Sequence, residues 1–143
     1  MPPRVPLFDF PDVVLLAEEL AVKRHPHFQA AKSGEIVAAD RLISDFADDL
    51  IERVSSLFDG RALELVPVHA LEVTGVNEIP VALARRCAHL SGLRVNDSIV
   101  QGNSVGHTGA NGFQRLAHQA MFIGDVAPGQ VYYLLDDFVG QGG

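Results

Sequence analysis

The chain is short of cysteine, of cations and of long apolar runs, and each shortage removes a class of protein. Cys87 is the single cysteine in 143 residues, so an intramolecular disulfide framework is excluded. That suits a reducing cytoplasm, and equally a secreted protein built without disulfides. Lys and Arg number 11 against 18 Asp and Glu, a formal net charge of −7. This argues against nucleic-acid or anionic-membrane partners, because affinity for phosphate backbones comes mainly from Lys and Arg. The start, Met1-Pro2-Pro3-Arg4-Val5-Pro6, lacks the apolar segment of a signal peptide. No stretch approaches the length needed to cross a bilayer. The expectation is a cytoplasmic chain with a core of its own, burying roughly two-thirds of the surface its unfolded form exposes.

What is present is a series of apolar patterns. Over 10–23, Val13, Leu16, Ala17 and Leu20 recur at helical spacing until Arg24-His25-Pro26-His27 breaks the run. The paired histidines lack a third ligand at recognisable spacing, so a solvated turn is favoured over a metal site. Residues 40–58 predict one long helix, with Leu42, Ile43, Phe46, Leu50, Ile51, Val54, Leu57 and Phe58 in a stripe. Asp48 and Asp49 on its polar face are read as solvated, and Asp59-Gly60 as its close. A strand over 62–69, a loop over 70–76, a helix over 78–90 opened by Asn77 and closed by Ser91-Gly92, and a strand starting at Leu93-Arg94-Val95 make a crossover unit. Such a unit implies a parallel sheet. Cys87 falls among the apolar positions of that helix and is read as core. Residues 97–118 are rich in glycine and polar side chains, which predicts a mobile loop or hairpin. The segment Ala120-Met121-Phe122 is read as a strand edge beside it.

The chain then runs through a turn at Pro128-Gly129 into Val131-Tyr132-Tyr133-Leu134-Leu135, followed by Asp136-Asp137-Phe138-Val139 and Gly140-Gln141-Gly142-Gly143. A short apolar run bounded by turn signals predicts a buried strand of a parallel sheet. Its acids then emerge at the edge where open α/β sheets bind ligands. The glycines allow backbone N–H groups to close on an anion.

Strand, two acids, two hydrophobics and a Gly-Gly loop resemble the phosphoribosyl-pyrophosphate (PRPP) signature of type I phosphoribosyltransferases. Gly140 and Gln141 depart from the usual hydroxyl pair, and the usual Thr does not follow Gly143. The resemblance implies a Rossmann-like parallel α/β sheet over 61–143, incomplete at its C-terminus. Two N-terminal helices over 1–60 would precede it, as a hood or as packing elements. It also implies that Asp136 and Asp137 hold the ribose hydroxyls, and that Phe138, Val139, Gly140, Gln141, Gly142 and Gly143 form the 5′-phosphate loop. The loop from His69 and Ala70 to Gly75 would face the pyrophosphate, the glycine-rich segment would be a flap, and Arg115 would meet the pyrophosphate charge. Mg²⁺, held mainly by substrate oxygens and waters, is the implied cofactor, with no metal site made of protein ligands alone. The partners implied are PRPP, a small-molecule acceptor, and a second copy or completing segment at the sheet edge. A non-catalytic PRPP- or nucleotide-binding module, or part of a larger enzyme, is the alternative. A P-loop nucleotidase is disfavoured because no GxxxxGK[ST] precedes the acids. A receiver domain is disfavoured because its acids come early in the chain.

Overall fold

The computed structural model describes residues 13–58, 60, 62–68, 71–72, 75–102 and 121–138. Four helices come first: α1 (Glu19–Lys23), α2 (Phe28–Lys32), α3 (Ile36–Asp45) and α4 (Ala47–Phe58). Strand β1 (Leu63–Pro67), a small ribbon of β2 (Leu71–Glu72) and β3 (Gly75–Val76), and α5 (Ile79–Ser91) follow. The chain continues through β4 (Arg94–Val95), β5 (Val100–Gln101), β6 (Phe122–Ile123) and β7 (Val131–Leu135). The architecture is mixed α/β, built on a three-stranded sheet in the order β4-β1-β7. Both strand pairs are parallel.

The sheet exists because β1 is apolar on both faces. Leu63 and Leu65 turn into one cluster with Leu42, Val54, Ala84 and Cys87 from the helices. Val66, only 1% exposed, is buried on the opposite face. The N-terminal helices and the sheet thus share a core. Phe58 meets Tyr133 edge-on at 5.0 Å between ring centroids, which ties α4 to β7. The crossover from β1 through α5 to β4 is as the sequence predicts. Asn77, 2% exposed, accepts the Ile79 N–H through Oδ1 at 3.1 Å, and the Gly92 N–H donates to the Ala88 carbonyl at 2.8 Å.

Several expectations need correction. Among the described residues four helices, not two, precede β1. The first covers only Glu19–Lys23: Val13, Val14, Leu15 and Leu20 stay exposed, and Arg53 Nη1 donates to the Leu15 carbonyl at 2.6 Å. The predicted long helix starts earlier, at Ile36, and breaks at Phe46, whose φ of −102° and ψ of 10° leave the helical region. Its apolar stripe continues through the bend, with Ile51 alone left exposed, because α3 packs on α2 and α5 while α4 packs on α5. The loop over 70–76 contains the antiparallel β2–β3 ribbon. Strand β7 pairs only with β1 among the described residues, and Leu135 alone of its residues is buried; Val131 and Leu134 are 55% and 62% exposed.

The glycine-rich excursion leaves from β5 and returns at β6, which pair antiparallel with Val100 opposite Ile123. Residues 103–120 lie outside the described residues. The turn into β7 is closed by the Gln130 N–H on the Ala127 carbonyl at 3.2 Å, with Pro128 and Gly129 (φ 80°) at its centre. Proline then glycine with positive φ is the signature of a type II turn.

Candidate functional site

Parallel pairing of β1 and β7 in register, Leu63 with Val131 through Pro67 with Leu135, brings both carboxyl ends to one edge. The Val68 N–H extends the ladder by donating to the Leu135 carbonyl at 2.8 Å. The chain leaving β1 toward the β2–β3 ribbon therefore starts beside Asp136 and Asp137. His69 and Ala70 lie outside the described residues, as do Arg115, Val139, Gly140, Gln141, Gly142 and Gly143.

The acids occupy different environments. Asp136 is exposed, and its Oδ1 accepts the Asp137 N–H at 2.8 Å. Burial of the carboxyl against the strand end, then the charge of Asp137, push its pKa up from 3.8 to about 7; the Asp137 N–H and the Lys32 ammonium act in the opposite direction. Solvent reaches the residue and moderates the effect. The Asp137 side chain is only 8% exposed. Its Oδ1 accepts the Phe138 N–H at 3.0 Å, and Lys32 Nζ stands 3.1 Å from its Oδ2. The ammonium sits at ion-pair distance but off the direction of a hydrogen bond, so buried Oδ2 has a charge partner and no hydrogen-bond donor among the described residues.

Lys32 is the side chain that sequence reasoning missed. It ends α2 one helical turn after Phe28, so both share a face. Phe28 is buried and meets the Phe138 ring at 5.9 Å. Lys32 Nζ lies 5.8 Å from the Phe28 ring and 5.9 Å from that of Phe138, with Lys23 Nζ 4.9 Å from the Phe138 ring. The backbone on each side of Lys32 is pinned. The Ala31 carbonyl accepts the Glu78 N–H at 3.1 Å, and Ser33 packs so closely on Gly75 that a Cβ there would lie 2.4 Å from the Ser33 oxygen. Gly75 is thus required by contact with the chain's own backbone. The signal was the Phe28–Lys32 spacing, but nothing local links that face to a strand over a hundred residues later.

The remaining candidates are structural. His25 Nδ1 accepts the His27 N–H at 3.2 Å, which leaves Nε2–H to donate to Asp45 Oδ2 at 2.9 Å. No three His, Cys, Asp or Glu side chains gather into a metal cluster among the described residues. Cys87 is fully buried, and burial pushes its thiol up to about 11, far from a reactive thiolate. Asp48 and Asp49 are exposed in the first turn of α4. A groove of about 250 Å³ between α3 and α5, lined by Asp40, Ser44, Arg85, Arg86 and His89 among others, includes none of the residues at the β1–β7 edge.

No helix among the described residues is long and apolar enough to cross a membrane. In sequence the chain is 40% identical to a protein of Escherichia coli named Protein TraN, over 98% of this chain and 32% of that one. It is 36% identical to an uncharacterized protein of Haemophilus influenzae, over 94% of this chain and 30% of that one. No family model and no solved structure matches. The chain spans about a third of the length of the curated relatives it matches.

Proposed function

We propose that the carboxyl edge of β1 and β7 binds PRPP and that the protein transfers its phosphoribosyl group to a small-molecule acceptor, in the manner of type I phosphoribosyltransferases and with their sheet. The observation that carries this reading is the Val68–Leu135 hydrogen bond at 2.8 Å. It sets the chain leaving β1, the expected pyrophosphate loop, beside the acid pair, and a single substrate with ribose and pyrophosphate ends needs both at one place. The β5–β6 ribbon, from which the expected flap departs, supports the same order of parts.

In the reaction, the bond from the anomeric carbon to the pyrophosphate oxygen breaks and its electron pair leaves with pyrophosphate. The acceptor forms the new bond to that carbon and gives up its proton. Asp136 and Asp137 accept hydrogen bonds from the ribose hydroxyls, each charge-assisted bond contributing about 1.5–3 kcal/mol. The residues fit Mg²⁺ as a partly protein-bound ion: Asp136 presents an exposed oxygen donor, while no protein cage surrounds it among the described residues. Bound there, Mg²⁺ supplies charge neutralisation of the leaving group. A cytoplasmic setting and a further strand on the free edge of β7, from a longer polypeptide or a second copy, belong to the same proposal.

Calorimetric titration with PRPP, with and without Mg²⁺, tests binding, and pyrophosphate release with a panel of nucleobases tests transfer. Metal-dependent binding with turnover is expected. Binding without turnover leaves a PRPP-binding module, equal affinity with the metal chelated removes Mg²⁺, and no binding overturns the reading.

A further inference from the structure

We infer that Lys32 is a phosphate-binding cation: when a phosphorylated sugar binds, its Nζ leaves Asp137 Oδ2 for a phosphoryl oxygen, and the uncovered carboxylate takes a substrate hydroxyl. The hydroxyl half of this exchange rests on the proposed reading; the phosphate half does not.

The geometry favours an exchange over a fixed bridge. Lys32 is 23% exposed while Asp137 is 8% exposed, so the ammonium has the path to solvent. Its Nζ lies 5.8 Å from the Phe28 ring and 5.9 Å from the Phe138 ring, whose faces continue to attract the ammonium as it turns toward a phosphoryl oxygen. The contact it leaves is a 3.1 Å charge contact that supplies no hydrogen bond to Oδ2. A buried oxygen without a donor is costly, and a ribose hydroxyl supplies the missing one. The ammonium exchanges one anion for another of higher charge, so the swap does not strand a cation. Lys23, 4.9 Å from the Phe138 ring, adds a second positive charge from α1, and its partner Glu19 is exposed. Two lysines at this edge in a chain of net charge −7 concentrate cations where a polyphosphate would arrive.

The probe is inorganic pyrophosphate without metal, titrated calorimetrically into the whole chain. Wild type binds; Lys32→Met weakens it about tenfold or more; Arg85→Met, which removes a charge from the exposed Asp40 pair, changes it less than about twofold. Asp137→Asn keeps Lys32 and removes its competitor, so it should bind pyrophosphate several-fold more tightly. A merely structural bridge gives no such gain, and this variant guards against Lys32→Met folding poorly. No binding by wild type, equal binding by Lys32→Met, or no gain in Asp137→Asn overturns the inference. PRPP bound with no dependence on Lys32 sinks the inference and leaves the proposed function standing. Lys32-dependent pyrophosphate binding with no preference for PRPP does the reverse.

Discussion

Replacing Gly75 by Ala tests whether the β3 backbone holds the start of the site. The Cβ would lie 2.4 Å from the Ser33 carbonyl oxygen and 3.0 Å from its carbon, and both are backbone atoms that cannot rotate away. The φ of +132° also lies outside the regions that residues with a Cβ adopt. Conformational strain of about 1–3 kcal/mol adds to an overpacking cost of about 1–3 kcal/mol, for a total of roughly 2–6 kcal/mol. Gly129 is the matched comparison: its φ is +80° and a Cβ there meets nothing within 4 Å, so Gly129→Ala costs only about 1 kcal/mol of left-handed strain. In a domain of this size each kcal/mol lowers Tm by roughly 2–4 °C. Thermal unfolding followed by circular dichroism should therefore separate the variants by on the order of 5–10 °C. Because Ser33 follows Lys32, Gly75→Ala should also weaken pyrophosphate binding while Gly129→Ala leaves it unchanged. Equal Tm shifts for the two variants would refute the close-packing argument.

The Lys32–Asp137 pair should couple in a double-mutant cycle. Lys32→Met strands a carboxylate that is 8% exposed and costs about 2–3 kcal/mol, below the full buried-pair penalty because the ammonium is 23% exposed. Asp137→Asn costs about 1 kcal/mol, since Lys32 can reach solvent; denaturant unfolding that shows the single costs simply adding in the double variant removes the pair. Asp136 makes a pH prediction. Its folded pKa is raised from 3.8 to about 7, so between those values the folded state binds more protons than the unfolded one. Stability from this group is then fully present at and below the lower value and is lost as pH rises through about 7. Asp136→Asn should flatten that slope, and an unchanged pH profile of urea midpoints would count against the shift. Finally, Leu65→Ala, at 0% exposure in the central strand, should cost about 2–5 kcal/mol, whereas Leu134→Ala, 62% exposed, should stay within about 0.5 kcal/mol; comparable losses would mean that the outer face of β7 is covered.

The crossover unit was legible because its signals are local. Asn77, Pro80 and Ser91-Gly92 mark the ends of α5 within a residue or two, and β1 is a short, mainly apolar run broken only by Glu64. The N-terminal region was not, because its shape is set by tertiary neighbours. A stripe from Leu42 to Phe58 has the same period whether the helix is straight or bent at Phe46. Only α2 and α5, which α3 must meet, make the bend. The same reasoning explains α1: the spacing of Val13, Leu16 and Leu20 is helical, but only Leu16 of the three packs against the core, and a periodic face forms a stable helix only where something covers it.

At the acid pair, sequence and structure differ over charge. The motif presents Asp136-Asp137 as equivalent, in a chain of net charge −7 with few cations. The fold separates them. Asp137 is enclosed by Lys32 and the Phe138 N–H, while Asp136, on the more exposed residue, has its pKa raised by burial of its carboxyl and then by the charge of Asp137. Such asymmetry follows from the strand itself, since consecutive residues leaving a strand point to opposite sides. Here one side is occupied by α2. Any ligand that engages both acids must therefore displace an ammonium as well as approach a carboxylate, and the ligands suited to that exchange carry hydroxyls and a phosphoryl charge on one frame.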